Sequence, residues 1–372
     1  MNITCNRTDL ASAISSVQRA VSTKATIPEL SGILMTAQEG TLELIGYDCE
    51  TVGIKTNIQA EVQESGPACL PAKLLGEMVR KLSGDKVHIE TGGKHMAVIK
   101  CGRSRFSVAG FDPNEYPAIP KIEQREVLRI PNGILKGMIR QTAFAVAQVD
   151  SKPIHTGTLF EINEGKIRLV SVDGYRIAIR EENVGNDLNK TSFVVPGKSL
   201  NELSRILPDN AKPCGIVIGD RHIIFSAGQY TVFSRLLEGE FLDYRRAIPQ
   251  QQGTEVEVNT LGFVDSIQRV SLMVMDRLKS PIRCSFGDDV IDLFSRTPLG
   301  QASDQLQAKI QGDNVEIGFN DRYLLDAFQN AETDEVKLGL NGPLAPMTVK
   351  PKDGNSFLFI VLPVRLKPED RA

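Results

Sequence analysis

The sequence contains no tryptophan and only six tyrosines among its 372 residues. Proteins that bind single-stranded nucleic acid without sequence preference usually stack the bases on aromatic side chains, so this composition argues against such a platform. There is also no basic surplus, because 43 Lys and Arg stand against 46 Asp and Glu, for a formal net charge of −3. Proteins that hold nucleic acid by bulk charge are usually basic. A nucleic-acid role would therefore need local basic patches or geometry.

The cysteines are few and widely spaced, and no two of them have CxxC or CxxxC spacing. This argues against a zinc ribbon or zinc finger. A chain of this length forms a core without covalent crosslinks, which argues against a disulfide framework. We expect buried, reduced thiols. The six cysteines are Cys5, Cys49, Cys69, Cys101, Cys214 and Cys284.

Motifs that carry chemistry are missing as well. The sequence has no GxxxxGK[ST], no GxGxxG after a strand pattern, no HExxH and no GxSxG, and its four histidines lie far apart. We therefore expect no catalytic residue, cofactor or metal. The start, Met1–Cys5, lacks the pattern of a secretory signal, and no apolar run reaches 18 residues. We expect a cytoplasmic protein without a membrane partner.

What the sequence does contain is an internal repeat. A short strand pattern at Ile3 is followed by a helical pattern with Leu10 and Ile14 on one face, and Thr8 is a suitable N-cap. The apolar pair returns 125 positions later as Leu135 and Ile139. It returns again, a further 128 positions on, as Phe263 and Ile267.

The second half of each repeat returns too. Leu44–Asp48 matches Leu169–Asp173, and Leu70–Leu74 matches Val195–Ser199, both at an offset of 125. The second pair of segments opens another helical pattern, and Asn320–Leu324 begins the corresponding helix of the third repeat. Each repeat thus reads strand, helix, several strands, helix, several strands.

The sequence therefore predicts an α+β fold of three tandem units, with antiparallel sheets that carry helices on one face. Polar, proline-containing stretches at Pro120–Glu126 and Pro249–Thr254 mark the boundaries. The expected domains are residues 1–121, 126–250 and 254–366, followed by a polar C-terminal tail at 367–372.

The polar faces of the predicted helices repeatedly carry cations. One interpretation is an ordinary solvated helix face. The other is a cationic surface on an otherwise acidic protein, which the repeated placement favours. The residues are Arg19, Arg80, Lys81, Lys136, Arg140, Lys198, Arg205, Arg269 and Arg322.

Five segments in fixed order carry a resemblance to a known family. They are Gly102–Ser107, Val172–Arg176, Glu240–Arg246, Ile317–Leu324 and Val361–Leu366. Together with the three repeats, they make the whole chain resemble the bacterial sliding clamps, the beta subunits of the replicative DNA polymerase holoenzyme.

The resemblance implies three DNA-clamp domains per chain and a head-to-tail homodimer closed into a ring. Antiparallel sheets would lie outside, and two helices from each domain would lie inside. Such a ring encircles duplex DNA without regard to sequence, tethers the replicative polymerase, and is opened by an ATP-dependent clamp loader. A modest cationic lining attracts the duplex without gripping one register, since phosphate contacts carry no base information.

The resemblance also implies a pocket between the second and third domains for a short peptide that ends in hydrophobic residues. Apolar side chains would bury those residues, while Arg176, Arg246 and Asn320 would hold polar groups of the peptide. The implied pocket residues are His155, Val172, Gly174, Tyr175, Arg176, Ile177, Leu242, Arg246, Ala247, Asn320, Tyr323, Leu344, Pro346, Leu362, Pro363, Val364 and Arg365.

This chain departs from the family pattern at three pocket positions. Leu242 stands where proline is common, His155 where an apolar residue is usual, and Val172 where threonine is usual. The alternative interpretations of two segments also remain open. Asp173 and Gly174 can form a plain hairpin turn, and Val361–Val364 a core strand.

For DNA, the resemblance implies four residues, and helix periodicity adds four more. The first group is Lys24, Arg80, Gln148 and Lys198, and the second is Lys81, Lys136, Arg140 and Arg205. For the dimer, the resemblance implies that Phe106 and Val108 of one chain meet Leu272 and Met273 of the other. These four residues could instead fill the cores of their own domains.

Two other functions compete with the clamp interpretation. A three-repeat scaffold could bind peptides without encircling DNA, in which case the helix cations need not converge. An enzyme could assemble its site through space, in which case titratable groups would cluster in one cleft. Neither explains the repeat together with the ordered motifs.

Overall fold

The computed structural model describes residues 1–22, 26–120, 127–149, 152–185, 190–274 and 280–367. Within these ranges the chain forms six α-helices, none of which is both long and apolar enough to cross a membrane. The helices are α1 (Arg7–Val17), α2 (Ala72–Lys81), α3 (Asn132–Ala143), α4 (Gly197–Ile206), α5 (Thr260–Ser271) and α6 (Asp321–Gln329).

Strands make up most of the remaining regular structure. In the first part of the chain they are β1 (Asn2–Asn6), β2 (Gly32–Gln38), β3 (Thr41–Tyr47), β4 (Val52–Glu64), β5 (Gly66–Pro71), β6 (Lys86–Thr91), β7 (Met96–Cys101), β8 (Ser104–Ala109), β9 (Val127–Pro131), β10 (Gly157–Asn163), β11 (Lys166–Val172) and β12 (Arg176–Asn183). The rest are β13 (Thr191–Pro196), β14 (Pro213–Ile218), β15 (His222–Ala227), β16 (Tyr230–Arg235), β17 (Thr254–Asn259), β18 (Ile282–Gly287), β19 (Val290–Thr297), β20 (Gly300–Gln307), β21 (Lys309–Gly312), β22 (Val315–Phe319), β23 (Glu335–Leu340), β24 (Met347–Pro351) and β25 (Phe357–Val361).

The chain divides into two compact units. Unit 1 comprises residues 1–136 and 195–237, and unit 2 comprises residues 137–194 and 238–372. The middle repeat therefore contributes to both units. The reason is that its strands pair with those of its neighbours in sequence: β16 pairs with β4 of the first repeat, and β12 pairs with β25 of the third.

Unit 1 is organised on one large sheet. Its strands follow the order β8-β7-β6-β1-β4-β16-β15-β14-β9, and a branch in the order β3-β2-β5 starts where β3 pairs with β4. The antiparallel pairing of β4 with β16 depends on Gly53, because a Cβ at this position would lie 1.9 Å from the Phe233 ring. In the described residues β8 pairs only with β7, so its other edge is free.

Unit 2 contains two sheets. Nine strands follow the order β13-β10-β11-β12-β25-β24-β23-β17-β21, and four follow the order β20-β19-β18-β22. Both helices α5 and α6 belong to this unit, and they pack through the rings of Phe263 and Phe328, whose centroids lie 4.5 Å apart, edge to face. Strand β20 pairs only with β19 among the described residues.

The predicted helical repeat is present in the structure. Leu10 and Ile14 of α1 are buried, as are Leu135 and Ile139 of α3. The predicted cap of α1 is wrong, because the N-cap is Asn6 rather than Thr8. The Asn6 side chain accepts hydrogen bonds from the amides of residues 8 and 9, so residue 8 already lies inside the helix.

The cysteines are unpaired thiols, and five of the six are buried, as expected. Burial raises the pKa of Cys5, Cys69, Cys214 and Cys284 to about 12, so these thiols are protonated and unreactive at neutral pH. The expectation is wrong for Cys49, which is exposed because it lies in the turn between β3 and β4 at φ +61°.

Candidate functional site

The predicted turn at Asp173 and Gly174 connects β11 to β12 in unit 2. The Asp173 carboxylate accepts hydrogen bonds from the amides of Tyr175 at 3.0 Å and Arg176 at 3.1 Å. Gly174 adopts φ +86°, which glycine takes without steric strain. The turn thereby presents the ring of Tyr175 to solvent, 59% exposed.

Arg176 lies beneath this turn and is only 7% exposed. Its Nε donates to Asp173 at 2.9 Å, and its two terminal nitrogens donate to the carboxylate of Asp326 in α6 and to the carbonyl oxygen of Phe144. The expectation that Arg176 holds polar groups of a peptide stays a prediction. Its guanidinium is already used to join the turn, the residue that follows α3, and α6.

Two tyrosine rings stack above the buried arginine. Tyr175 and Tyr323 lie 5.5 Å apart between centroids at an interplanar angle of 20°, and the Arg176 guanidinium lies 4.8 Å from the Tyr323 ring centre. Asn320 is the N-cap of α6, and its side-chain oxygen Oδ1 already accepts a hydrogen bond from the Tyr323 amide at 3.1 Å. Cation–π and stacking contacts together fix the orientation of these rings.

The C-terminal strand brings further predicted residues to the same place. Strand β25 pairs with β12, with Val361 opposite Arg176. Beyond the strand, the Leu362 amide donates to the Tyr175 carbonyl at 2.9 Å, and the Val364 amide donates to the Gly318 carbonyl at 2.8 Å. The main chain thus places Leu362, 38% exposed, directly beside Tyr175.

The other predicted pocket residues differ in exposure. Val172 and Ile177 are buried, at 2% and 6% exposed, whereas Leu242 and Leu344 are 46% and 62% exposed. Buried positions support the surface from below, and exposed ones offer it apolar contact area. Among the rest, Ala247 and Arg365 are exposed, and His155, Pro346, Pro363 and Val364 are half-buried.

Leu242, Arg246 and Ala247 lie on one irregular segment of unit 2, residues 241–248, which contains a short 3₁₀ turn at Tyr244–Ala247. Arg246 is 87% exposed and pairs with Asp243 at 2.9 Å. The segment borders a cavity of about 580 Å³ that it lines together with Ile154. The His155 ring packs edge to face on Phe241 at 5.7 Å.

Sequence reasoning missed the partners that hold this surface together. Asp326 lies in α6 between the buried residues Leu324 and Ala327, a position where a carboxylate signals a buried cationic partner. The Phe144 carbonyl carries no signal in the sequence, because any residue supplies the same backbone oxygen.

Four of the predicted DNA-contacting cations of unit 1 lie on α2 and α4, namely Arg80, Lys81, Lys198 and Arg205, and Lys73, which was not among the predicted residues, also lies on α2. Lys73 and Arg80 of α2 are separated from Lys198 and Arg205 of α4 by the same 125 positions as the repeat, and all four are exposed. Lys198 pairs with Asp48 at 2.7 Å, and Arg205 with Glu202 at 2.9 Å. Lys81 is exposed at the end of α2.

The remaining predicted DNA-contacting residues differ in how far they are exposed. Arg140 on α3 is exposed and pairs with Glu332 at 2.8 Å, Gln148 is exposed, and Lys136 is half-buried. Lys24 lies outside the described residues.

The predicted dimer residues fall on β8 and at the end of α5. Val108 is 5% exposed and Phe106 half-buried, so both side chains turn toward unit 1 itself, and Val108 offers almost no free surface. Leu272, by contrast, is 79% exposed, and Met273 is half-buried. The free edge of β8, rather than the Val108 side chain, is available for contact.

Three tandem strand-rich repeats with paired helices, shared sheets and repeated helix cations define a DNA-clamp architecture. Family models of the DNA polymerase III beta subunit match the chain in sequence order: the N-terminal domain over residues 1–120, the central domain over 129–243 and the C-terminal domain over 245–365.

Individual proteins and structures agree with the family models. A curated beta sliding clamp of Bacillus subtilis is 32% identical over 98% of this chain and 100% of its own. A crystal structure of the DNA polymerase sliding clamp from Bacillus subtilis gives a TM-score of 0.94 at 31% identity, with 99% and 100% of the two chains covered. The DNA polymerase III subunit beta from Pseudomonas aeruginosa gives 0.91 at 28% identity, with 98% and 100% covered. The chain belongs to the bacterial DNA polymerase III beta subunit family, the beta sliding clamps.

Replacing Arg176 tests whether it supports the candidate pocket from within. Arg176→Ala leaves the Asp173 and Asp326 carboxylates without their shared cation in a poorly hydrated place. We expect the free energy of unfolding to fall by about 4 kcal/mol, measured by urea denaturation. Arg246→Ala is the matched control, because it removes an exposed ion pair and should cost less than about 1 kcal/mol. Equal costs for the two variants would contradict the assignment.

Proposed function

We propose that this protein is a DNA sliding clamp that confers processivity on a replicative polymerase. Two copies would close into a ring around duplex DNA. The observation that carries the proposal is the cations at repeat-related positions, Lys73 with Lys198 and Arg80 with Arg205, all exposed on α2 and α4. A solvated surface gives no reason for the same charge to return at the same helical positions of two repeats.

The ion pairs of these cations suit sliding. Lys198 and Arg205 each pair with a carboxylate within 3 Å. A DNA phosphate that binds either cation must therefore replace this carboxylate. The net gain of each phosphate contact is therefore small, and no register of the duplex is strongly preferred. Topology supplies persistence, while weak attraction leaves the duplex free to move.

The homodimer would form through two of the strand edges at the ends of the sheets, those of β8 and β20. Strand β8 at the end of the unit 1 sheet and strand β20 at the end of the four-stranded sheet each lack a second neighbour among the described residues. Unpaired backbone groups on an edge readily pair with another chain. Because the two edges differ, pairing is head to tail, and a rotation that closes gives a ring.

Partner proteins would bind the surface around Tyr175, Leu242 and Leu362 through a short peptide that ends in hydrophobic residues. Replicative polymerase and clamp loader are the expected partners, and the clamp itself would catalyse no reaction and work in the cytoplasm.

We propose three domains at residues 1–121, 126–250 and 254–366, supported by the three matched ranges. A peptide-binding scaffold that never encircles DNA is the second candidate, favoured only by the exposed apolar side chains.

Retention on circular duplex DNA tests the proposal. We expect the protein, loaded with a clamp loader and ATP, to stay on a closed circle at about 0.5 M salt, where phosphate contacts are screened. Linearising the circle should release it, because the chain ends let a ring slide off. The measurement is the amount that co-elutes with DNA before and after cutting. If the amounts are equal while a known clamp is released in parallel, encirclement is excluded and the scaffold remains.

The helix cations are tested by charge reversal. Arg80→Glu combined with Arg205→Glu should lower the number of clamps loaded per circle at least about threefold at low salt, and the difference should narrow as salt screens the field. Lys94→Glu with Lys212→Glu is the matched control, since both lysines are exposed in unit 1 but lie outside its α-helices. If both double variants load similarly fewer clamps per circle, the total charge of the protein rather than the cations on the helix faces determines loading.

The dimer is tested at the end of α5. Leu272→Lys should weaken association at least about tenfold, measured by sedimentation at several protein concentrations, because a charge would enter an apolar contact. Leu261→Lys is the control, since Leu261 is also exposed, at 68%, but lies at the other end of the same helix. If Leu272→Lys leaves the dimer intact, the interface lies elsewhere.

A further inference from the structure

The segment of residues 241–248, which carries Leu242, Arg246 and Ala247, has little backbone support. Within the described residues its backbone hydrogen bonds are local, from Tyr244 to Leu242 at 2.8 Å, from Arg246 to Asp243 at 3.4 Å and from Ile248 to Arg245 at 3.3 Å. It joins no sheet. Side chains must therefore determine where this part of the pocket wall lies.

Tyr244 is the buried anchor of the segment, with 1% of its surface exposed. Its hydroxyl donates to Glu161 Oε2 at 2.5 Å and accepts from Arg168 at 3.2 Å. Burial, and next the hydrogen bond to Glu161, raise the pKa of the Tyr244 phenol, so it remains a donor at neutral pH. Both partners lie on strands β10 and β11, which are regular elements of the nine-stranded sheet.

The residues around Tyr244 hold its partners in turn. Arg168 Nε donates to Glu181 at 2.9 Å, and Lys166 donates to the other oxygen of Glu181 at 2.9 Å. Arg245 donates to Glu161 Oε1 at 2.7 Å, and its guanidinium lies 4.7 Å from the Tyr244 ring centre. The cluster thus ties one irregular segment to three strands, β10, β11 and β12, by charge-assisted hydrogen bonds.

Exposure divides the segment into two faces. Tyr244 is buried against the sheet, while Leu242, Arg246 and Ala247 are exposed. We propose that Tyr244 is a positioning residue of the partner-peptide pocket: its hydroxyl, held by Glu161 and Arg168, sets the place of Leu242 and Ala247 and thereby the affinity for the peptide. This proposal rests on the proposed function, because it assumes that the pocket binds a peptide.

Tyr244→Phe is the direct test, because it keeps the ring and removes only the hydroxyl. A cavity of about 700 Å³ borders Glu161 and Arg168, so water can hydrate both groups after the change and the fold should persist. The probe is a fluorescently labelled synthetic decapeptide whose last two residues are leucine and phenylalanine, followed by fluorescence anisotropy. We expect the dissociation constant to rise about tenfold, as for loss of a hydrogen bond to a charged group.

Controls separate positioning from general stability. Tyr230→Phe removes a hydroxyl from a half-buried tyrosine of β16 in unit 1 and should leave the affinity unchanged. Glu161→Gln keeps an oxygen acceptor for the Tyr244 hydroxyl and should lose less affinity than Glu161→Ala. In a Leu242→Ala background, Tyr244→Phe should cost less than in the wild type, because coupled residues are not additive. A full, undiminished effect in that background, or a loss that follows the thermal midpoint across all variants, would overturn the proposal.

Leu362→Ala distinguishes this proposal from the proposed pocket. If wild-type protein does not bind the decapeptide, or Leu362→Ala binds as well as wild type, the pocket itself fails and the positioning role falls with it. If wild type binds, Leu362→Ala loses affinity and Tyr244→Phe binds as wild type does, the pocket stands and only the role of Tyr244 is overturned.

Discussion

Strand pairing between successive repeats is the constraint on which the rest of this structure depends. Strand β16 of the second repeat completes the sheet of the first through β4, and β12 completes that of the third through β25. The second pairing also builds the candidate site, because it sets Val361 opposite Arg176 and so leads Leu362 to Tyr175. Fold and site thus share one set of backbone hydrogen bonds.

The site combines rigid support with an exposed apolar surface. Arg176 on one side and Tyr244 on the other are buried polar groups whose partners come from several elements. Buried polar groups are costly unless they are satisfied, and satisfied ones restrict the geometry of whatever they join. The side chains that would touch a peptide, such as Leu242 and Leu362, therefore project from a surface whose shape is set before binding.

Much of the fold could be predicted from the sequence, because a repeat imposes the same apolar spacing three times. Leu10 and Leu135 are both buried on helices, and the turn at Gly174 lies where expected. Contacts between segments distant in sequence could not be predicted. The position of Arg176 in the sequence says nothing about Asp326, and nothing in the sequence shows that Val108 is buried against its own unit. The cap of α1 is Asn6, two positions before Thr8, and both residue types are suitable caps. Successive repeats share sheets because β16 pairs with β4 and β12 pairs with β25, and the spacing within one repeat carries no signal for either pairing.

Gly53 connects the geometry inside the chain to the form of the assembly. The absence of a side chain there lets β4 approach the Phe233 ring of β16, which sets how the first repeat joins the second. Every protomer would offer the same pair of unlike strand edges, and such edges can be joined without limit into a linear filament. In the proposed dimer the difference between a closed ring and an endless polymer therefore depends on the rotation that relates one protomer to the next, and not on the chemistry of the two edges alone.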